Sequence, residues 1–250
     1  MKSRHELKFF ILPEVALEVR DFVREYLDFD EYSVGKPEFS YPVHTVHLDS
    51  DDWKLYWRTV QGDQDRWKLR VRYYSSHPDV PVFCEVKHQM ADVIVKYRAG
   101  LKREALNLIL AGQLPEAEHL VSKEPKQRDA MERFVRLMLE WNARPKLHIL
   151  CMREAYESDD GKARVTLDRR LHVSDLSDGV LATEMTNPLI GVYHAVILQL
   201  RFSDRFPDWY RELVRVFDLG AWISWSHSRE TISCAGLRLT PDDVIHNIVL

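Results

Sequence analysis

Lys68-Leu69-Arg70-Val71-Arg72-Tyr73-Tyr74 is the stretch that decides the fold. Side chains of a strand alternate between its two faces, so Lys68, Arg70 and Arg72 project to one side and Leu69 and Val71 to the other. Three like charges at neighbouring same-face positions repel one another unless water or an anion screens them. Short relatives of this motif recur at Glu85-Val86-Lys87, Lys96-Tyr97-Arg98, Met152-Arg153 and Arg164-Val165-Thr166-Leu167-Asp168. The chain as a whole carries a formal charge of −4, so these basic rows gather positive charge locally. The pattern predicts a polyanion site built into a β-sheet.

The 250 residues suffice for one large β domain or two small ones, and the expectation is a single domain over 1–250. A hydrophobic share of 45% supports a core, and 30% charged residues cover its surface. No apolar run approaches the length of a membrane helix, and the start Met1-Lys2-Ser3-Arg4-His5-Glu6 lacks the apolar region of a signal peptide. Three cysteines, Cys84, Cys151 and Cys234, are odd in number and lie in apolar contexts, which fits a reduced, cytoplasmic protein. The acidic balance argues against non-specific nucleic-acid binding. With only nine glycines and no glycine-rich loop, any phosphate must be held by side chains.

The chain mixes strands and helices. A first strand is expected over Glu6 to Leu12, followed by a helix that starts at Pro13, with Val15, Val19, Phe22, Val23 and Tyr26 on one stripe. Further strands are expected at Tyr41–Leu48, Arg66–Tyr74, Val82–His88 and Val93–Arg98, with a short helix over Asp51–Arg58 after a cap-like acidic stretch. Helices are read at Leu101–Leu110 and Gln127–Trp141. Strands resume at Lys146–Glu157, Ala163–Asp168, Leu171–Val173 and Ala195–Phe202, then a helix over Pro207–Phe217 and a last strand within Trp222–Leu237. About nine strands with inserted helices predict an antiparallel barrel, closed or nearly so. Leu69, Val71, Phe83, Val86, Ile149, Val165, Leu167, Ile197, Leu198 and Leu200 are assigned to its apolar face. If that face meets the helices, the basic face lines an interior channel. His44 and His47 share no ligand geometry with a third residue, so no zinc site is expected.

Taken in order, these motifs resemble the vacuolar transporter chaperone (VTC) domain, the polyphosphate polymerase branch of the triphosphate tunnel metalloenzymes (the CYTH-like superfamily). Arg4-His5-Glu6-Leu7-Lys8-Phe9 resembles that family's first tunnel strand, and Tyr41-Pro42-Val43-His44-Thr45-Val46-His47-Leu48-Asp49-Ser50 its second. The rows at Lys68–Tyr73, Glu85–Lys87 and Lys96–Arg98 follow in the family's order. So do Arg153-Glu154-Ala155-Tyr156, Arg164–Asp168 and Pro207-Asp208-Trp209. The resemblance implies an α+β fold, with an eight-stranded antiparallel tunnel and helices packed outside. It also implies a metal-dependent phosphotransferase that moves the terminal phosphate of ATP onto a growing polyphosphate chain; the family also includes attached phosphate-sensing modules and membrane spans, and with neither seen in this sequence a free-standing catalytic domain is expected.

Phosphoryl transfer needs in-line positioning and neutralisation of charge spread over phosphate oxygens, which arginine forks and lysine point charges supply. Arg70, Arg72, Arg153 and Arg164 are therefore expected to clamp the phosphates, with Lys8, Lys87 and His227 also at the catalytic site. Lys68, Lys96, Arg98 and Arg201 complete the binding surface. Glu6, Glu85 and Gln199 are the expected ligands of Mn²⁺ or Mg²⁺, although Glu6 and Glu85 equally suit internal pairs with Lys8 and Lys87. Removing Arg70 or Arg153 is expected to relieve repulsion and leave the fold intact. Two positions depart from the family pattern: Gln199 stands where the family has glutamate, and His227 where it has lysine. They keep open a catalytically weak module that binds polyphosphate or inositol phosphates, and the same fold with water as acceptor keeps open a tripolyphosphatase.

Overall fold

The computed structural model describes residues 4–91, 93–176, 185, 188–190 and 195–220. His227, Cys234 and the strand expected within Trp222–Leu237 lie outside them. The chain divides into two compact units. Among the described residues, one takes in 4–42, 151–172, 190 and 195–220, and the other 43–91, 93–150, 173–176, 185 and 188–189.

The first unit opens with β1 (Arg4–Ile11), α1 (Pro13–Val23) and the short β2 (Asp28–Phe29). Pro13 sits in the first turn of α1, where its missing N–H is no loss. Ala16, Val19 and Val23 recur at helical spacing and are buried. From the other element β3 (Tyr41–Asp49) this unit takes only the first two residues. It then receives the second half of β7 (Arg144–Glu157), most of β8 (Ala163–Asp175), β10 (Val196–Ser203) and α5 (Asp208–Val216). The strands are hydrogen-bonded in the order β1-β10-β8-β7, with β2 against β7; the two-residue β9 (Leu189–Ile190) pairs with β8. One sheet face, carrying Phe9, Ile11, Val165, Leu167, Leu198 and Leu200, is buried in a cluster with α1 and with Tyr210 and Leu213 of α5.

The second unit holds the rest of β3, α2 (Lys54–Val60), β4 (Asp65–Tyr73), β5 (Val82–Met90), β6 (Val93–Leu101), α3 (Leu106–Leu110), α4 (Pro125–Glu140) and the first half of β7. Its strand order is β7-β3-β4-β5-β6. Leu69, Val71, Cys84, Val86, Ala99 and Leu101 form one face and are buried against Ala130, Met131, Phe134 and Val135 of α4. Truncating a ring such as Phe134 in this setting costs about 3–5 kcal/mol. The α+β class is thus present, with antiparallel pairing between β1 and β10, β10 and β8, β2 and β7, β3 and β4, β4 and β5, and β5 and β6. Within the described residues β1 and β6 are edge strands, and the pairings do not close a barrel.

Several local expectations are corrected. The short helix begins at Lys54, not Asp51, because the Asp49 carboxylate accepts the Leu55 and Tyr56 N–H groups at 2.9 and 2.8 Å and fixes its start. Trp53 precedes that helix in a left-handed conformation, φ 57°. Strand β6 continues through Leu101, so the helix read from Leu101 starts only after it, as a 3-10 turn over Arg103–Ala105 followed by α3. Strand β8 is continuous where two strands were expected, with Arg170 at φ 51° where the apolar alternation breaks.

Candidate functional site

The registers of the second unit turn the basic motif into rows. Lys68 lies directly opposite Lys87, and Lys87 opposite Lys96, so three lysines form a line across β4, β5 and β6. Two residues along, Arg70 faces Glu85 and Glu85 faces Arg98. Beyond them Arg72 faces Phe83. Adjacent strands are about 4.8 Å apart, so like charges in such a row act on one another at close range. On these three strands the face bears seven cations (Arg66, Lys68, Arg70, Arg72, Lys87, Lys96, Arg98) against one carboxylate (Glu85), a net of six positive charges.

That carboxylate is the hub. Arg70 Nε donates to Glu85 Oε2 at 2.5 Å, Arg98 Nη1 lies 3.4 Å from Oε1, and Arg72 Nη1 lies 3.7 Å from Oε2. Burial alone raises the Glu85 pKa, but the three guanidinium groups outweigh it and hold the carboxyl down at about 2. Glu85 therefore pairs with arginines, not with Lys87 as one reading of the sequence had it. The Arg98 guanidinium also stacks 3.9 Å from the Phe83 ring centroid and donates to the Tyr74 hydroxyl at 3.3 Å. Burial raises the Tyr74 pKa, yet Arg72 and Arg98 bring it below its ordinary value. Phe83 thus belongs to the charged face, since it shares the parity of Glu85 and Lys87. By the same rule Ile197 lies with Gln199 and Arg201, and its assignment to the apolar face is corrected.

The first unit gathers Glu6 and Lys8 of β1, Gln199 and Arg201 of β10, and Arg164, Thr166 and Asp168 of β8 on one face. Here the charges cancel. Arg153 makes a two-pronged pair with Asp168 at 2.7 and 2.8 Å, and both side chains are buried. Burial lowers the Arg153 pKa, but Asp168 raises it well above its ordinary value. Arg164 donates to Asp30 at 2.7 Å and also to Glu157. Asp30 is held in turn by the Tyr41 hydroxyl and the Ser33 N–H. Lys8 pairs with Glu6 at 2.9 Å, and Arg201 lies 3.8 Å from the same carboxylate. Four cations meet four carboxylates: Glu6, Asp30, Glu157 and Asp168. The expectation that losing Arg153 would merely relieve repulsion is corrected, because its removal strands a buried Asp168.

The expected metal ligands do not converge within either unit. Glu85 is neutralised by three arginines and Glu6 by Lys8 and Arg201, while the buried Gln199 faces Lys8 and Thr166 across its neighbouring strands. No group of three or more His, Cys, Asp or Glu side chains able to hold a metal ion is present among the described residues. A histidine pair is present that the sequence did not reveal. On the core face His44 Nδ1 lies 3.1 Å from His148 Nε2, which is also 3.2 Å from the Tyr73 hydroxyl. Burial pushes both histidines down to about 4, Arg103 adding to the effect on His44 and His44 to that on His148.

A row of lysines beside an arginine-caged glutamate, on adjacent antiparallel strands, is the arrangement expected of a site for chains of phosphate. The VTC domain matches residues 3–226 of this sequence. The chain belongs to the VTC domain family. A curated relative, vacuolar transporter chaperone complex subunit 4 of Trypanosoma cruzi (strain CL Brener), is 25% identical over 204 residues. That match covers 69% of this chain and 25% of the relative, so the chain spans about a quarter of that protein's length. Among solved structures, a candidate adenylate cyclase from Bacillus halodurans aligns at a TM-score of 0.50 with 13% identity, over 91% of this chain and 96% of that one. At that identity the likeness speaks for the fold alone. No helix of the described residues is long and apolar enough to cross a membrane.

Proposed function

We propose that this VTC domain is a polyphosphate polymerase whose phosphate chain lies on the basic face of β4, β5 and β6. The observation that carries the reading is the imbalance of seven cations against one carboxylate across those strands, in a chain of this family. A terminal oxygen of the acceptor chain would attack the γ-phosphorus of ATP, the bond to the β-phosphate oxygen would break, and ADP would leave with that electron pair. The enzyme's task is then to align the two phosphate ends and neutralise charge spread over the transferred group. Arg70 and Arg72, steered by Glu85, suit two-pronged contacts with phosphate oxygens, and Lys68, Lys87 and Lys96 supply point charges further along. Arg98 completes the row. Lys8, Arg153, Arg164 and Arg201 enter the proposal as groups that would have to exchange a carboxylate for phosphate. The tunnel, the single module and the cytoplasmic location expected from the sequence go with this reading.

A divalent ion, Mn²⁺ or Mg²⁺, is implied by the family resemblance and would add charge neutralisation at the phosphates. The described residues do not fit a protein-built site for it, since Glu6 and Glu85 already neutralise neighbouring cations and Gln199 brings no charge. No step is therefore assigned to it.

That same donor set favours a second reading, a module that binds polyphosphate with little turnover. Incubating the chain with ATP, Mn²⁺ and a short polyphosphate primer, and resolving products on a polyphosphate gel, separates the two. The polymerase reading expects a lengthening ladder with matching ADP. Release of orthophosphate instead would make the chain a phosphatase, and unconsumed ATP beside bound primer would leave the binding module.

A further inference from the structure

The charge pattern of the β4–β6 face carries a consequence for how it holds its ligand. A site that relies on a divalent ion offers carboxylates that are not already spent, because the ion must bridge protein oxygens and phosphate oxygens. In the second unit the opposite holds. The single carboxylate of the face, Glu85, lies within 4 Å of three guanidinium groups, with Arg70, Arg98 and Arg72 at 2.5, 3.4 and 3.7 Å. A second cation bound at Glu85 would have to displace them and would meet the lysine row two residues away. A divalent ion on the ligand also cancels the charge that the lysine and arginine rows are arranged to attract.

We propose that this face binds chains of phosphate directly, with no divalent cation, Glu85 acting as an internal counter-anion that aims Arg70, Arg72 and Arg98. The inference rests on the reading that the face takes phosphate chains, and it adds that cation's absence from the binding step. Chelating conditions then leave binding intact, and Mg²⁺ weakens it by occupying the ligand's oxygens. Binding is also steeply salt-dependent, since every lysine or arginine that neutralises a phosphate releases a condensed counterion.

The test is calorimetric titration of the full chain with tripolyphosphate, once in EDTA and once in excess Mg²⁺, each at several salt concentrations. The expected result is affinity in EDTA equal to or tighter than that in Mg²⁺. Lys87→Met, which removes one half-buried charge from the middle of the lysine row, should weaken binding about tenfold in EDTA. It should also reduce the slope of log affinity against log salt by about one. Binding in Mg²⁺ but not in EDTA overturns the inference and leaves the phosphate reading standing. Binding in neither medium overturns both. Binding in EDTA that Lys87→Met leaves unchanged also overturns the inference, because the ligand then sits elsewhere.

Discussion

Replacing Glu85 with glutamine removes the one negative charge among Arg70, Arg72 and Arg98 while keeping the side chain's shape. A carboxyl whose pKa falls from 4.5 to about 2 gains on the order of 3 kcal/mol for its ionised form in the folded protein. The Glu85 side chain is only 8% exposed, so solvent screens little of this. Because the folded pKa lies below the unfolded one, the stabilisation is present above about pH 4.5 and lost as the pH falls toward 2. Glu85→Gln should therefore cost about 3 kcal/mol at pH 7, lowering Tm by roughly 6–12 °C for a chain of this size. The gap between variant and parent should narrow between pH 4.5 and 2. Tripolyphosphate should stabilise the variant more than the parent, since the ligand supplies the missing anion. Thermal melts at pH 7 and pH 3, with and without tripolyphosphate, make the measurement. A variant as stable as the parent at pH 7, or equally destabilised at both pH values, would refute the account of Glu85 as a counter-anion.

Three further outcomes are expected. Arg153→Leu leaves Asp168 buried and unpaired, so it should lose about 3–5 kcal/mol, and adding Asp168→Leu should recover most of that in urea denaturation. The His44–His148 pair, neutral when folded, stabilises the protein fully above about pH 6.5 and loses its contribution as the pH falls toward 4. One such histidine amounts to about 2–3 kcal/mol between pH 7 and 4.5, and a His148→Gln chain should show a flatter pH dependence of its urea midpoint. Gln199→Glu places a carboxylate opposite Lys8 and outside the β4–β6 face, so it should leave both the Mn²⁺ concentration for half-maximal rate and the tripolyphosphate affinity in EDTA unchanged. A lowered Mn²⁺ requirement would make position 199 a metal ligand and contradict this.

Alternation carried the sequence reading a long way, because a face with Lys68, Arg70 and Arg72 leaves Leu69 and Val71 for the core, and all the apolar partners follow. It failed where apolar identity was taken in place of position. Phe83 and Ile197 are apolar yet sit among charges, where Phe83 carries the Arg98 guanidinium. Alternation alone divides the strand through Arg170 in two, because a left-handed residue interrupts the period without ending the strand. The cationic half of the site was legible residue by residue, but its balance was not. Asp168 lies 15 residues from Arg153 across a hairpin, within reach of a register argument, whereas Asp30 is 134 residues from Arg164 and only the folded chain brings them together. The line of Lys68, Lys87 and Lys96 likewise depends on two registers that no single motif contains. Asp49, quoted as part of a strand motif, spends its carboxylate on the start of α2.

Everything above converges on phosphate transfer from ATP taking place on the β4–β6 face. The most direct measurement follows ADP and acid-stable polyphosphate together, from ATP and a short primer, in the parent chain and in Lys87→Met. The account predicts lengthening chains with equal ADP in the parent, and turnover at least about tenfold slower in the variant at subsaturating ATP. Chain growth that is undiminished in Lys87→Met would move the chemistry off this face. A parent that binds the primer yet forms neither ADP nor longer chains would contradict the transfer itself.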